Sequence, residues 1–254
     1  MTYARYLALG DSMSIDLYPA LDAGAIDVAV ALERVATAGR VAPLGAASLL
    51  YRNADDLWPE EVADDLVTLY PGITMQNLAS DGATIGEVFG EQLPQVDGDA
   101  GPTLVTLTIG GNDLISAFGN RPRAPLLARI AADVAEAYEL LLDAARRVVD
   151  ECTVIATTVF DPSDGTGKIP GVFEEAGRLP IEVLDAFNAH IRKLARGTPK
   201  VLLADAHAHF LGHGVTAPEA DRWYWKRSLV EPNARGASEI RRLWRSALAS
   251  AANG

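Results

Sequence analysis

Serine, aspartate, glycine, asparagine and histidine residues occur in this sequence directly after apolar runs of strand length. Gly10-Asp11-Ser12 follows the first run, Ser80-Asp81-Gly82 the second and Gly110-Gly111-Asn112 the third. A later segment, from Asp205 to Gly214, contains three histidines. Ester cleavage requires a hydroxyl nucleophile, a proton acceptor and N–H donors for the developing oxyanion. These residue types therefore predict acyl transfer to a serine, provided that the fold brings the segments together.

Five apolar runs predict the strands of a parallel sheet. The runs are Tyr6–Leu9, Ile73–Leu78, Leu104–Ile109, Cys152–Val159 and Val201–Ala204. Runs this apolar are typical of strands that helices cover on both faces. Because ligands of open α/β sheets bind at the carboxyl ends of the strands, we expect the polar segments to meet at one edge. Gly10 allows the sharp turn that would project the Ser12 hydroxyl into that cleft.

Longer amphipathic stretches between these runs predict helices. They cover Trp58–Tyr70, Pro125–Glu151, Pro180–Arg196 and about Asn233–Ala251. We expect a single domain over residues 1–254, interrupted by an insertion at about residues 19–45 in which Ala25–Gly39 has helical spacing. Such an insertion is either a cap over the site or a surface elaboration.

The order of these segments resembles that of the SGNH (GDSL) hydrolase family, from Tyr6 to the final helix. The resemblance implies a flavodoxin-like three-layer α/β sandwich whose five-stranded parallel sheet has the order 2-1-3-4-5, with helices on both faces. It also implies that Ser12 is the nucleophile. The oxyanion donors would be the N–H groups of Ser12 and Gly82 and the side-chain amide of Asn112. We expect a serine esterase that cleaves small or short-chain acyl esters through an acyl-enzyme, with neither cofactor nor metal.

The segment before the final helix departs from the pattern of this family. The family places Asp-x-x-His there, whereas this chain has Ser228 and Glu231 at the two positions. We therefore predict a relocated base, His213 in the turn Gly212-His213-Gly214, with Glu231 orienting its imidazole. His209 and His207 are alternative bases. Glu231 itself as the base, or no base at all, also stays open.

Two further functions are compatible with the sequence. Loss of the base would leave a non-catalytic, ligand-binding member of the same fold. A metal-dependent hydrolase could instead use His207, His209 and His213 as nitrogen ligands.

Three more side chains are candidates for lining or shaping the site. Asp16 could orient the serine turn, line the site or cap a local turn. Trp223 and Trp225 could form an aromatic wall for the substrate or pack under the last helix.

Composition and net charge limit the classes of binding partner and the cellular compartment that we expect for this protein. The formal net charge of −12 disfavours binding to nucleic acid and to anionic membranes. The single cysteine, Cys152, lies in an apolar run and is predicted to be a buried thiol. No apolar run reaches the roughly 18 residues that a membrane span needs. We predict a cytoplasmic protein that acts on a small-molecule ester, and the sequence leaves its oligomeric state open.

Overall fold

A computed structural model describes residues 2–24, 41–98, 100–119, 124–149, 151–171 and 178–252. Its main sheet has five parallel strands in the order β2-β1-β3-β4-β5, which confirms the predicted topology. The strands are β1 (Arg5–Gly10), β2 (Thr74–Asn77), β3 (Thr103–Thr108), β4 (Cys152–Thr157) and β5 (Val201–Ala204). Every residue of β1, β3 and β4 is buried, as expected for central strands covered on both faces.

Helices cover both faces of the sheet. They are α1 (Leu17–Asp22), α2 (Ala46–Tyr51), α3 (Leu66–Leu69), α4 (Ile85–Glu87), α5 (Gly111–Gly119), α6 (Ala124–Val148), α7 (Ile181–Gly197), α8 (Ala206–Phe210) and α9 (Ala234–Ala252). Successive strand side chains point to opposite faces, so Leu7 and Leu9 pack in one core, and Tyr6 and Ala8 in the other. No helix in the described segments is both long and apolar enough to cross a membrane.

The region from Trp58 to Tyr70 is not the single helix that its sequence predicts. It contains a 3₁₀ turn at Pro59–Glu61 and the separate short helix α3. Between them Ala63 has a φ of 67°, a left-handed conformation that a right-handed helix cannot include. Asp65 then caps α3 by accepting a backbone N–H with its side chain, so local capping replaces helix continuity.

The predicted insertion is described only at its two ends. The expected helix Ala25–Gly39 and most of the proposed cap lie outside the described residues. Asp16 joins the ends, because its Oδ1 accepts from the Gly45 N–H at 2.8 Å and its Oδ2 accepts from Ser48 Oγ at 3.1 Å. Asp16 thus closes the base of the insertion four residues after Ser12.

A small antiparallel pair lies before the last helix. Its strands are β6 (Tyr224–Trp225) and β7 (Ser228–Pro232), and β7 carries Glu231. Asn233 follows and starts α9, since its Oδ1 accepts from the Gly236 N–H at 2.8 Å. The pairing has an irregularity between Tyr224 and Trp225, and Glu231 lies on β7 between the paired residues Ser228 and Pro232.

Candidate active site

The turn after β1 requires glycine at position 10. Gly10 has a φ of +125°, and a Cβ there would lie 1.8 Å from the carbonyl oxygen of Thr108. The next residue, Asp11, donates its N–H to that same oxygen at 2.8 Å. The chain therefore turns tightly against the end of β3, and Ser12, with 9% of its surface exposed, follows at the edge of the sheet.

Gln92 holds this turn from the opposite side, and the sequence alone gave no signal for it. The Gly10 N–H donates to Gln92 Oε1 at 2.8 Å, and Gln92 Nε2 donates to the Gly10 carbonyl at 2.8 Å. The same Nε2 lies 3.3 Å from Ser80 Oγ. One buried amide thus ties the serine turn to the loop that contains Gly82.

The loop after β2 is anchored to the start of α5. Asn112 Nδ2 donates to the Ala83 carbonyl at 2.9 Å, and the Ile85 N–H donates to the Asp113 carboxylate at 3.1 and 3.2 Å. Gly82 lies in this loop with a φ of +71°, which favours glycine. Since an amide nitrogen carries two hydrogens, Asn112 keeps one donor for a second acceptor.

A cavity of about 760 Å³, part of it open to solvent, lies beside Ser12. Its lining contains Ser12, Asn112 and Glu231, which lie far apart in the sequence. The remaining lining residues are Asp11, Met13, Gly111, Leu114, Ile115, Phe118, Val159, Phe160, Asp161, Pro162, Ile169, Leu179, Pro180, Ile181, Leu184 and Val230. The fold therefore brings a hydroxyl, an amide and a carboxyl into the lining of one mainly apolar cavity.

Glu231 is a largely buried carboxyl group that interacts with the Ser12 side chain. Burial raises its pKa to about 7; interaction with the Ser12 side chain lowers it, and the charge of Asp81 raises it further. Glu231 Oε2 is buried and has no hydrogen-bond partner. A carboxyl group with a pKa near neutrality can both accept and release a proton at physiological pH.

Two more carboxyl groups lie near this centre. Asp11 is 3% exposed, its Oδ1 accepts from the Met13 N–H at 3.1 Å, and burial raises its pKa to about 7. Asp81 Oδ2 accepts from the Tyr18 hydroxyl at 2.9 Å. The site is therefore acidic, and like charges help to keep the pKa of Glu231 high.

None of the four histidines, all within the described segments, lines this cavity. His213 stacks on Trp223 at 3.6 Å between ring centroids, and its Nδ1 lies 3.1 Å from the Asp221 carbonyl. Asp164 holds the turn of His213, because its Oδ1 accepts from the N–H groups of Gly212 at 2.9 Å and Gly214 at 3.0 Å. The predicted base thus stacks on Trp223 and has a backbone partner at its Nδ1.

The alternative bases are also engaged elsewhere. His209 Nε2 lies 2.9 Å from Glu239 Oε2. His207 lies between Arg192, 3.2 Å from its Nδ1, and Asp185, 3.3 Å from its Nε2. In the described part of the chain no group of three or more His, Cys, Asp or Glu side chains is arranged to hold a metal ion.

Trp223 and Trp225, the two tryptophans predicted as a possible aromatic wall, lie outside the lining of the cavity. Trp223 is buried and contacts His213, Phe210 and Arg235, so it packs under the last helix, as one of the two interpretations expected. Trp225 packs on Tyr18 at 5.5 Å.

Comparison with known proteins identifies a family. The sequence model of the GDSL-like lipase/acylhydrolase family matches residues 36–238, a range that includes Gly82, Asn112 and Glu231 and begins after Ser12. A search of curated proteins found no match.

Solved structures with the same fold come from several bacteria. Phospholipase A1 from Streptomyces albidoflavus NA297 is 22% identical, with a TM-score of 0.61 over 97% of this chain and 100% of that one. An extracellular lipase from Streptomyces rimosus is 20% identical, with a TM-score of 0.57 over 96% and 99%. An acetylxylan esterase from Geobacillus stearothermophilus is 16% identical, with a TM-score of 0.56 over 97% and 94%. At these identities the likeness is one of fold.

Proposed function

The chain belongs to the GDSL-like lipase/acylhydrolase family and is a carboxylic ester hydrolase, in which we propose that Ser12 is the nucleophile and Glu231 the general base. The observation that carries this proposal is the position of Glu231. Glu231 lines the same cavity as Ser12, and its carboxyl group interacts with the Ser12 side chain and has one buried oxygen without a partner among the described residues.

The proposed reaction has two acyl-transfer steps. Glu231 takes the proton from Ser12 Oγ while that oxygen forms a bond to the ester carbonyl carbon. The tetrahedral intermediate then collapses, the bond to the alcohol oxygen breaks, and Glu231 returns the proton to the departing alkoxide. Water next attacks the acyl-enzyme and gives a proton to Glu231, which passes it back to Ser12 as the acid leaves.

Three donors would stabilise the oxyanion of each intermediate. They are the N–H groups of Ser12 and Gly82 and the free hydrogen of the Asn112 amide. The hydrogen bonds from the Gln92 amide to Gly10 and Ser80, which we call the Gln92 clamp, and the bond from Asn112 to Ala83 support this role. They fix the donors before the substrate arrives. Donors held in place in this way lose no free energy to reorganisation during the reaction.

A carboxylate base also accounts for Ser228. An imidazole base needs a carboxylate to fix its tautomer and orientation, which is the role of the aspartate in Asp-x-x-His. A carboxylate has no tautomer to fix. An additional aspartate at position 228 would instead place another negative charge near Glu231 and raise the pKa of Glu231 further.

The relocated base His213 stays a prediction. Substitutions at Glu231 and His213 distinguish these two candidate bases. Hydrolysis of p-nitrophenyl butyrate is measured for the wild type, Ser12→Ala, Glu231→Gln and His213→Ala, with and without chelator. We expect the first two variants to lose about 10²-fold or more in kcat, and His213→Ala to stay within about threefold of the wild type. Chelation should leave the rates unchanged.

Each alternative function gives a different result in this experiment. Loss in His213→Ala with activity kept in Glu231→Gln would establish the relocated histidine. Wild-type protein that neither turns over the ester nor is labelled at Ser12 by a fluorophosphonate would be a ligand-binding member of the fold. Loss of turnover on chelation would favour the metal-dependent reaction.

A further inference from the structure

Tyr18, a half-buried residue of α1, contacts two segments that lie near Glu231. Its hydroxyl donates to Asp81 Oδ2 at 2.9 Å, in the loop after β2. Its ring packs on Trp225 of β6 with 5.5 Å between ring centroids, and β6 pairs with β7, the strand that carries Glu231. Tyr18 therefore connects the loop of Asp81 to the strand pair of Glu231.

Asp81 and Glu231 are two like charges in different surroundings. Asp81 is exposed, and its charge acts on the largely buried carboxyl group of Glu231. Repulsion would turn an unrestrained surface carboxylate away from Glu231 and into water, which screens its charge. The hydrogen bond from Tyr18 opposes this movement, and it is the one hydrogen bond that the described residues provide to the Asp81 side chain.

The Tyr18 hydroxyl keeps its proton over the whole range in which Glu231 titrates. Burial raises the pKa of Tyr18 above its ordinary value, and the charges of Glu231 and Asp81 raise it further. The hydroxyl is therefore a donor to the Asp81 carboxylate at every pH at which the esterase reaction would proceed.

The other acidic groups around Glu231 have contacts that do not involve Tyr18. Asp11 of the serine turn and Asp161 after β4 line the same cavity as Glu231, and both accept from backbone N–H groups. Asp22 at the end of α1 accepts from the Ala234 N–H at 3.3 Å.

The tyrosine and the basic residues near β7 are also placed independently of Tyr18. Tyr224 of β6 is buried, and Lys226 and Arg227 are exposed in the turn between β6 and β7. The guanidinium group of Arg235 on α9 lies over Trp223, 5.8 Å from its ring centroid. Removal of the Tyr18 hydroxyl therefore takes a hydrogen bond from Asp81 and from none of these groups.

We propose that Tyr18 is a positioning residue for ester hydrolysis, whose hydroxyl holds the Asp81 carboxylate beside Glu231 and thereby strengthens Glu231 as a base. The inference rests on the proposed function. A carboxylate with a second negative charge beside it binds a proton more tightly, so it takes the Ser12 proton more readily. Tyr18 lies outside the lining of the cavity, and its effect on the rate passes through Asp81.

The pH profile of Tyr18→Phe tests this role, because phenylalanine keeps a ring against Trp225 and removes only the hydroxyl. The value of kcat/KM for p-nitrophenyl butyrate is measured across the neutral range. We expect the midpoint to move to lower pH by about half a unit, and kcat above the midpoint to fall about twofold. Tyr51→Phe removes a hydroxyl that bonds to the Ile73 carbonyl, at the opposite end of β2 from Asp81, and should keep the wild-type profile.

The double variant Tyr18→Phe/Asp81→Asn shows whether Tyr18 acts through Asp81. We expect its midpoint to equal that of Asp81→Asn alone, because the charge that Tyr18 holds is already absent. A further shift in the double variant would overturn the proposal. So would a single Tyr18→Phe enzyme whose kcat falls while its midpoint stays fixed or rises, since that result is typical of a purely structural role.

Carboxyl carbon NMR of the free protein measures the same ionisation without catalysis. The Glu231 signal is assigned by its loss in Glu231→Gln, and its titration is compared between the wild type and Tyr18→Phe. We expect a midpoint near pH 7 in the wild type and a lower one in the variant. If this shift occurred although Ser12→Ala hydrolysed the ester as fast as the wild type, the catalytic proposal would fail and the control of Glu231 by Tyr18 would stand. Equal midpoints would overturn the role of Tyr18 and leave the esterase function intact.

Discussion

The side-chain amide of Gln92 pairs with both backbone polar groups of Gly10, at 2.8 Å for each hydrogen bond. Gln92 lies in a helical segment, 82 residues along the chain from the glycine that it holds. Asn188 makes the equivalent pair with the N–H and carbonyl of Val159, also at 2.8 Å each. Buried side-chain amides thus pair with backbone groups at two places next to the cavity, at the end of β1 and just after β4.

Gln92→Met should impair catalysis more than substrate binding. Methionine keeps the approximate length of the side chain but leaves the Gly10 N–H unpaired, while the Gly10 carbonyl keeps only its bond from the Ser80 N–H at 3.0 Å. We expect a loss of about 1 to 3 kcal/mol in the free energy of unfolding. We also expect kcat to fall at least tenfold with KM nearly unchanged, because Ser12 and the Gly82 loop lose their common support.

Gln95→Met is the matched control for this substitution. Gln95 is exposed, and its Nε2 bonds only to the Glu91 carbonyl. Steady-state kinetics and denaturant unfolding should give wild-type values for it. A Gln92→Met enzyme with unaltered kcat would show that the clamp contributes to folding alone.

The pH profile should report the ionisation of Glu231. The base must be deprotonated to accept the Ser12 proton, and burial raises its pKa to about 7. We therefore expect kcat/KM to rise with pH, reach half of its maximum near pH 7 and level off above that value. Removing the charge of Asp81 by Asp81→Asn should move the midpoint to lower pH, since that charge raises the pKa of Glu231. Asp133→Asn, which removes an exposed charge on α6, is the control and should leave the midpoint unchanged. A midpoint that also stays unchanged in Asp81→Asn would contradict the electrostatic effect of Asp81 on Glu231.

Glu231→Gln should stabilise the protein at high pH while abolishing activity. The pKa of Glu231 rises from an ordinary value of 4.5 to about 7 in the folded state, so the folded state binds this proton more tightly than the unfolded state. Stability is consequently lost as the pH rises from about 4.5 to about 7. We expect the variant to gain on the order of 2 kcal/mol at pH 8 and little at pH 4.

Urea unfolding at both pH values measures this difference. The exposed Glu219→Gln, which makes the same chemical change at the surface, should leave stability unaltered at either pH. A Glu231→Gln protein less stable than the wild type at pH 8 would show that the carboxylate makes a stabilising contact.

Asn112→Ala should remove one oxyanion donor. A single donor of this kind contributes about 10²- to 10³-fold to kcat, and KM should change little. The substitution also deletes the bond to Ala83, so a control must loosen the same loop without removing a donor. Thr84→Ala does so, because it removes the capping box of α4 and leaves Asn112 in place. Equal kinetic losses in both variants would assign the effect of Asn112 to loop anchoring.

Local patterns were sufficient to predict the sheet. Apolar runs identified all five strands, and the polar segments after β1, β2 and β3 lie at the carboxyl edge, where parallel topology puts them. The prediction of one helix from Trp58 to Tyr70 was wrong, because the left-handed residue Ala63 interrupts it. A single φ angle of this kind depends on tertiary contacts and has no periodic signature in the sequence.

The sequence by itself determined which segments could take part in acyl transfer, because the apolar runs and the polar segments that follow them are short-range patterns. The strand order and the candidate roles of Ser12, Gly82 and Asn112 came from the family resemblance that the order of these segments carries. Only the tertiary structure showed which titratable side chains line the same cavity as Ser12. His213 belongs to a turn that Asp164 and Trp223 hold in place, whereas β7 brings Glu231 to the cavity lining. Which side chains meet across more than two hundred residues depends on how loops pack against each other. That same packing excludes water from Glu231 and so raises the pKa of its carboxyl group into the range that proton transfer requires.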